Sequence, residues 1–205
     1  IDDVIRAYEE QCEAVEAAGS RVILMASRAL TQAARGPDDY SRVYERVLSG
    51  LGQSAILHWL GEMFDPALEG YWGSSDHMVA MDTAVSVIEA SAAKIDGIKI
   101  SLLSEEKQVA MPRRLPEGVA MYTGDDFNYP ALVEGDEHGF SHALLGIFDP
   151  IATAAARALG QLAVGDIKGY QDTFAPTVPL SRHIFRAPTR FYKTGVVFMA
   201  YLTGQ

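Results

Sequence analysis

Five apolar runs of strand length, separated by helical patterns, constrain this chain more than any other feature. They are RVILMA (21–26), AILHWL (55–60), IDGIKIS (95–101), GVAMYTG (118–124) and FSHALLGI (140–147). Strands that alternate with helices imply βαβ units and a parallel sheet. Mostly continuous apolar runs, rather than strictly alternating ones, predict strands covered on both faces.

The intervening helices are read from periodicity and punctuation. Residues 3–18 place Ile5, Tyr8, Cys12 and Val15 at helical spacing, and Gly19 ends the run. Pro37, with Asp38 and Asp39, opens a helix carrying Tyr40, Val43 and Val47 on one face. Ser74 or Ser75 caps a helix with Met78, Met81, Val85, Ile88 and Ala92. A short charged helix covers about 104–113. Asp149 and Pro150 start an alanine-rich helix to about 164. Asp166 caps another, and Pro188 starts the last, to about 203.

Two α/β folds compete for this pattern: an open doubly wound sheet and a (β/α)8 barrel. No glycine-rich phosphate loop follows any strand, which weakens the nucleotide-binding version of the first. Five strands are too few for eight. Either three lie outside this chain or the sheet is open. The chain starts at Ile1 and is already helical by residue 3, which suggests a piece of a longer protein.

Composition removes several function classes. A net charge of −10 argues against a nucleic-acid partner. The single cysteine, Cys12, allows neither an intrachain disulfide nor a cysteine-based zinc site. The apolar run GVVFMAYL is too short to span a bilayer, and no signal-peptide pattern opens the chain. The default expectation is a cytoplasmic protein with no membrane partner.

In a barrel, chemistry sits at the C-terminal ends of the strands. Polar residues gather at those ends: Ser27 and Arg28, then His58, Lys99, and Asp125 with Asp126. Lys99 lies between Ile98 and Ile100. Burial lowers a lysine pKa, and a neutral amine attacks carbonyl carbon to give an imine. The same residue also reads as a lysine that snorkels or pairs with Asp125, and on spacing alone that reading leads. His58 reads as a proton shuttle or as a hydrogen-bonded core histidine. Asp125 and Asp126 read as turn residues or as ligands to substrate hydroxyls or a metal. Ser27 and Arg28 open a helix at which an anion would be received. Glu62 is a loop carboxylate near His58.

Four segments in order carry a resemblance: DGIKIS, MYTGDDFNYPAL, EHGFSHALLGIFDPIA and IFRAPTRFYKTGVVFMAYLTG. Together they resemble the dihydrodipicolinate synthase / N-acetylneuraminate lyase superfamily, and more closely a dihydrodipicolinate synthase-like subgroup. The resemblance implies a (β/α)8 barrel of which this chain supplies strands four to eight. Residues 1–148 would be that part of the barrel. Residues 149–205 would be its last helix and a C-terminal helical extension of the same domain. It also implies that Lys99 is a Schiff-base lysine, that Asp126 binds a substrate hydroxyl, and that no organic cofactor and no metal is needed. A small carbonyl substrate and a homo-oligomer follow from the same resemblance.

The departures are as informative. His58 stands in ILHW where the family places a tyrosine, which makes it the expected proton relay. The arginine that follows in the family has no counterpart in LGEMFDP, and MASRAL replaces an aromatic pair. The expected chemistry is therefore aldol cleavage or condensation of a 2-keto acid or polyhydroxy carbonyl compound, not dihydrodipicolinate synthesis. Two alternatives stand beside it. One is a metal-dependent lyase or isomerase using His58, Glu62, Asp125 and Asp126. The other is a barrel that binds a keto acid or sugar without turning it over.

Overall fold

The computed structural model describes residues 1–137 and 139–204. His138, inside the EHGFSH segment, and Gln205, the last residue of the expected extension, lie outside the described residues.

Strands β1 (Ile23–Met25), β2 (Ala55–Leu60), β3 (Ile95–Ser101), β4 (Ala120–Thr123) and β5 (His142–Ala143) form one sheet in the order β1-β2-β3-β4-β5. Every pairing is parallel. This is the sequential, helix-connected sheet of a partial (β/α)8 barrel, so the doubly wound alternative does not apply. β2 and β3 have the bounds expected from sequence. β1 and β5, at the two edges, shrink to three and two residues.

Helices α1 (Asp2–Ala17), α2 (Arg28–Ala33), α3 (Pro37–Gly50), α4 (His77–Ala90), α5 (Glu105–Ala110) and α6 (Tyr129–Glu134) precede or link the strands. Helices α7 (Ala152–Ala163), α8 (Ile167–Phe174), α9 (Thr177–Ile184) and α10 (Tyr192–Leu202) follow β5. Gly19 ends α1 as expected. At φ +79° it lets its own N–H reach Glu16 O and the Ser20 N–H reach Val15 O, which satisfies two of the last carbonyls.

Three expectations change here. The cap of α4 is Asp76, whose carboxylate accepts the Met78 and Val79 N–H groups, while Ser74 only accepts from the Asp76 N–H. Val15 and Met78 are exposed although they continue an apolar stripe. The last helix begins at Tyr192, because Pro188 leads into a 3-10 turn over Thr189–Phe191.

The register divides the sheet residues between two faces. Leu24, Leu57, Ile98 and Met121 are neighbours across four strands, and Trp59, Ile100 and Thr123 across three. All seven are buried, on the helix-covered face that is continuous with the core of α1, α3 and α4. The opposite face carries Ile23, Ile56, Gly97 and Ala120 in one row and Met25, His58, Lys99, Tyr122 and His142 in the next. Ile23 and Met25 are each 45% exposed, so this inner face is open at β1. A second core joins α6 to α7–α9 through Tyr129, Ile147, Ala158, Tyr170, Phe174 and Phe185.

One glycine fixes how the strands meet. A Cβ on Gly97 would lie 2.4 Å from the Ala120 carbonyl oxygen and 2.6 Å from Cε2 of Tyr122. The Tyr122 ring therefore occupies the space a side chain at 97 would take, and its hydroxyl points back toward Asp96 at 3.5 Å.

Candidate active site

Lys99 sits in the middle of β3 on the inner face, with His58 and Tyr122 as its register neighbours. Parallel pairing brings these side chains to one face because strand residues alternate sides. Among the described residues Lys99 makes no hydrogen bond and no ion pair. The paired reading with Asp125 therefore does not hold. Burial pushes its ammonium below the ordinary lysine value, and the charge of Asp126 partly opposes that shift.

The lysine stem is received by Gly124. A Cβ there would meet Ser101 Oγ at 2.1 Å, Lys99 Cε at 2.7 Å and Ile100 O at 3.1 Å. Lys99 therefore runs across the bare backbone of Gly124 toward the turn that follows β4. Ile100 O holds this arrangement by accepting the Gly124 N–H at 2.7 Å and Gln108 Nε2 at 2.8 Å. Sequence reasoning passed over both Gly124 and Gln108. The glycine directly before two aspartates was the available signal for the first. Nothing in the sequence marks the second.

The two aspartates of that turn diverge. Asp125 is fully buried and serves the backbone. Its Oδ1 accepts the Phe127 and Asn128 N–H groups at 2.8 and 3.1 Å, and its Oδ2 accepts Asn128 Nδ2 at 2.9 Å. All three of these bonds stay within the turn. Asp126 is also buried, but its Oδ1 takes the Ile147 N–H at 2.7 Å, and no side chain donates to its carboxylate among the described residues. Burial raises its carboxyl to about 7; the Ile147 N–H and Lys99 pull the other way, and Asp125 adds to the rise. Tyr129 and Tyr192 also lie within the reach of its charge.

His58 is packed between neighbours. Its Nδ1 lies 2.9 Å from Met25 Sδ and its Nε2 lies 3.1 Å from Ser101 Oγ. Burial, and then the charge of Lys99, push its pKa down to about 3, so the ring is neutral at physiological pH. Neither ring nitrogen is directed at Lys99.

The remaining candidates are tied up elsewhere. Ser27 Oγ caps α2 by accepting the Leu30 N–H. Arg28 Nε donates to Asp65 Oδ2 at 2.6 Å, and Asp65 also caps the turn over Pro66–Leu68. The pair joins the loops after β1 and β2 through Nε of an exposed guanidinium. Glu62 engages His77 Nε2 at 3.0 Å, and Lys107 Nζ lies 2.8 Å from His77 Nδ1. The alternative metal set of His58, Glu62, Asp125 and Asp126 is thus divided among other partners. Among the described residues no three His, Cys, Asp or Glu side chains converge as a metal site.

The C-terminal helices reach this end of the sheet. Phe185 and Tyr192 stack at 4.7 Å, and Tyr192 meets the ring of Phe64 edge-on at 6.0 Å. Gly146 makes room for them, since a Cβ there would lie 2.9 Å from Phe185 Cζ.

Comparison with known proteins now adds a family. The description "Protein of unknown function (DUF993)" matches residues 1–205. The chain belongs to the DUF993 family. No curated protein matches this DUF993 chain. Among solved structures it is similar to a provisionally assigned dihydrodipicolinate synthetase from Pseudomonas aeruginosa, with a TM-score of 0.67 and 15% identity. That match covers 92% of this chain and 59% of the other. It is also similar to dihydrodipicolinate synthase from Oceanobacillus iheyensis, with a TM-score of 0.64, 12% identity and coverage of 99% and 69%. The chain thus spans well under two thirds of the length of the first of these structures. Identities this low establish the shared barrel fold, as the resemblance of the four segments implied, and leave function to the site itself. Among the described residues no helix is long and apolar enough to cross a membrane.

Proposed function

We propose that this chain carries the nucleophile of a Schiff-base-forming carbon–carbon lyase of the class I aldolase type. The substrate would be a 2-keto acid or a polyhydroxy carbonyl compound. One observation carries the reading: Lys99 is a partly buried strand lysine on the inner barrel face, without an ion-pair or hydrogen-bond partner among the described residues, and its ammonium is destabilised by burial. A lysine kept for structure is normally paired or extended to water. The strand position supports the reading, because a strand holds a nucleophile more rigidly than a loop does.

Lys99 Nζ attacks the carbonyl carbon, and the protonated imine then accepts the electron pair of the breaking bond. Loss of the family's tyrosine and arginine, with His58 and LGEMFDP in their places, argues for a substrate other than that of dihydrodipicolinate synthase. A homo-oligomer belongs to the same proposal. The exposed apolar residues Val197, Phe198, Tyr201 and Leu202 of α10 support it.

The test is borohydride reduction of the full-length protein with pyruvate and a panel of 2-keto sugar acids, followed by peptide mass spectrometry. The expected result is a reduced adduct on the peptide containing Lys99 that Lys99→Ala abolishes. Absence of an adduct across the panel would refute the imine.

A further inference from the structure

Resting on the Lys99 imine, we propose that Asp126, and not His58, is the acid–base group of this site. The geometry carries the assignment. Lys99 crosses the gap at Gly124, its Cε 2.7 Å from where a Cβ would stand, and so heads toward the turn after β4, where Asp126 stands two residues beyond Gly124. The Asp126 carboxylate is buried there and held by backbone, its Oδ1 accepting the Ile147 N–H, with the Gly146 backbone also acting on it. Its neighbour Asp125 is consumed by the turn. Both nitrogens of His58 are engaged by Met25 Sδ and Ser101 Oγ, and neither is bonded to the amine. Among the described residues the titratable groups acting on Asp126 are Lys99, Asp125, Tyr129 and Tyr192, of which Lys99 alone is cationic.

Burial shifts Lys99 and Asp126 in opposite directions, and both shifts favour a neutral amine beside a neutral acid over an ion pair. That is the state imine formation requires. The amine adds to the carbonyl carbon, and one of its protons passes to the oxygen to give a carbinolamine. The Asp126 acid then gives its proton to the hydroxyl, the C–O bond breaks, and water leaves. The products are a protonated imine and an Asp126 carboxylate, so charge and protons balance. The carboxylate is now the base for the next step. It removes a proton from the carbon beside the imine. The C–H electrons form the enamine double bond, and the C=N pair moves onto nitrogen. In a retro-aldol reaction the same carboxylate would accept the hydroxyl proton as the carbon–carbon bond breaks.

Pyruvate is a sufficient probe, because its methyl protons exchange with D2O only through the imine and enamine, beyond a slow background. Exchange would be followed by proton NMR on the full-length protein, in parallel with borohydride trapping. The wild type is expected to exchange with a rate that falls as pH rises past about 7, where Asp126 loses the proton that imine formation needs. Asp126→Asn is expected to keep a trappable Lys99 adduct while exchange falls about 100-fold and loses that pH limb. Asp126→Glu, which keeps the acid, should recover part of the rate and guards against a folding defect. If Asp126→Asn exchanges at the wild-type rate, or if His58→Gln removes the pH limb instead, the assignment is overturned. No adduct in the wild type would refute the imine itself, which is a separate outcome.

Discussion

His58 gives the inner face a calculable acid sensitivity. Its pKa is pushed from 6.5 to about 3, chiefly by burial and secondarily by Lys99. Between those values the unfolded chain binds a proton at this position and the folded chain does not. Stability from this residue is therefore complete above about pH 6.5 and is lost as pH falls toward 3. Integrated from pH 7 to pH 4, the loss is about 3 kcal/mol, a large part of the stability of an ordinary domain. His58→Gln removes the titrating group and keeps an amide to meet Ser101. Urea unfolding of the wild type and the variant at both pH values isolates the contribution. Other groups, including Asp126, titrate in both proteins and largely cancel in the difference. The wild type should lose about 3 kcal/mol more than the variant between pH 7 and pH 4. Losses that agree within about 1 kcal/mol would refute the burial argument for His58.

Two further outcomes follow from the same packing. Gly124→Ala places a methyl group against Ser101 Oγ, Lys99 Cε and Ile100 O. It should destabilise by about 1–3 kcal/mol in denaturant unfolding and slow adduct formation at Lys99 at least about tenfold in the trapping assay. Lys99→Met keeps the stem and removes a poorly solvated charge. It should abolish the adduct yet raise the melting temperature by a few degrees, as expected for a residue held at a cost to stability.

The fold was legible because alternation is a strong signal. β2 and β3 match their apolar runs residue for residue, both being central strands covered by helices. The edges were less legible: RVILMA and FSHALLGI contain more apolar residues than pair, β1 pairing only over Ile23–Met25 and β5 only over His142–Ala143. Helices α6 and α9 were not expected. They have six and eight residues, each with a proline, Pro130 and Pro179, in the first turn or close to it, and so present too little periodicity to read. Lys99 stood out through its apolar neighbours and the resemblance. The division of labour between Asp125 and Asp126 did not, because adjacent identical residues differ only in the turn that aims them. The surroundings of His58 were equally hidden, since Met25 and Ser101 come from the neighbouring strands on either side.

Gly97 sets where the amine stands. The Tyr122 ring fills the notch left by the missing side chain two residues before Lys99. If β4 slid by one residue, that ring would turn to the opposite face and meet Asp96 or Ile98; if it slid by two, it would strike the lysine or Ile95. Neither position has a vacancy. The address of the reactive nitrogen is thus written as an omission on the strand below it, and a methyl group added at 97 would misplace Lys99 without touching it.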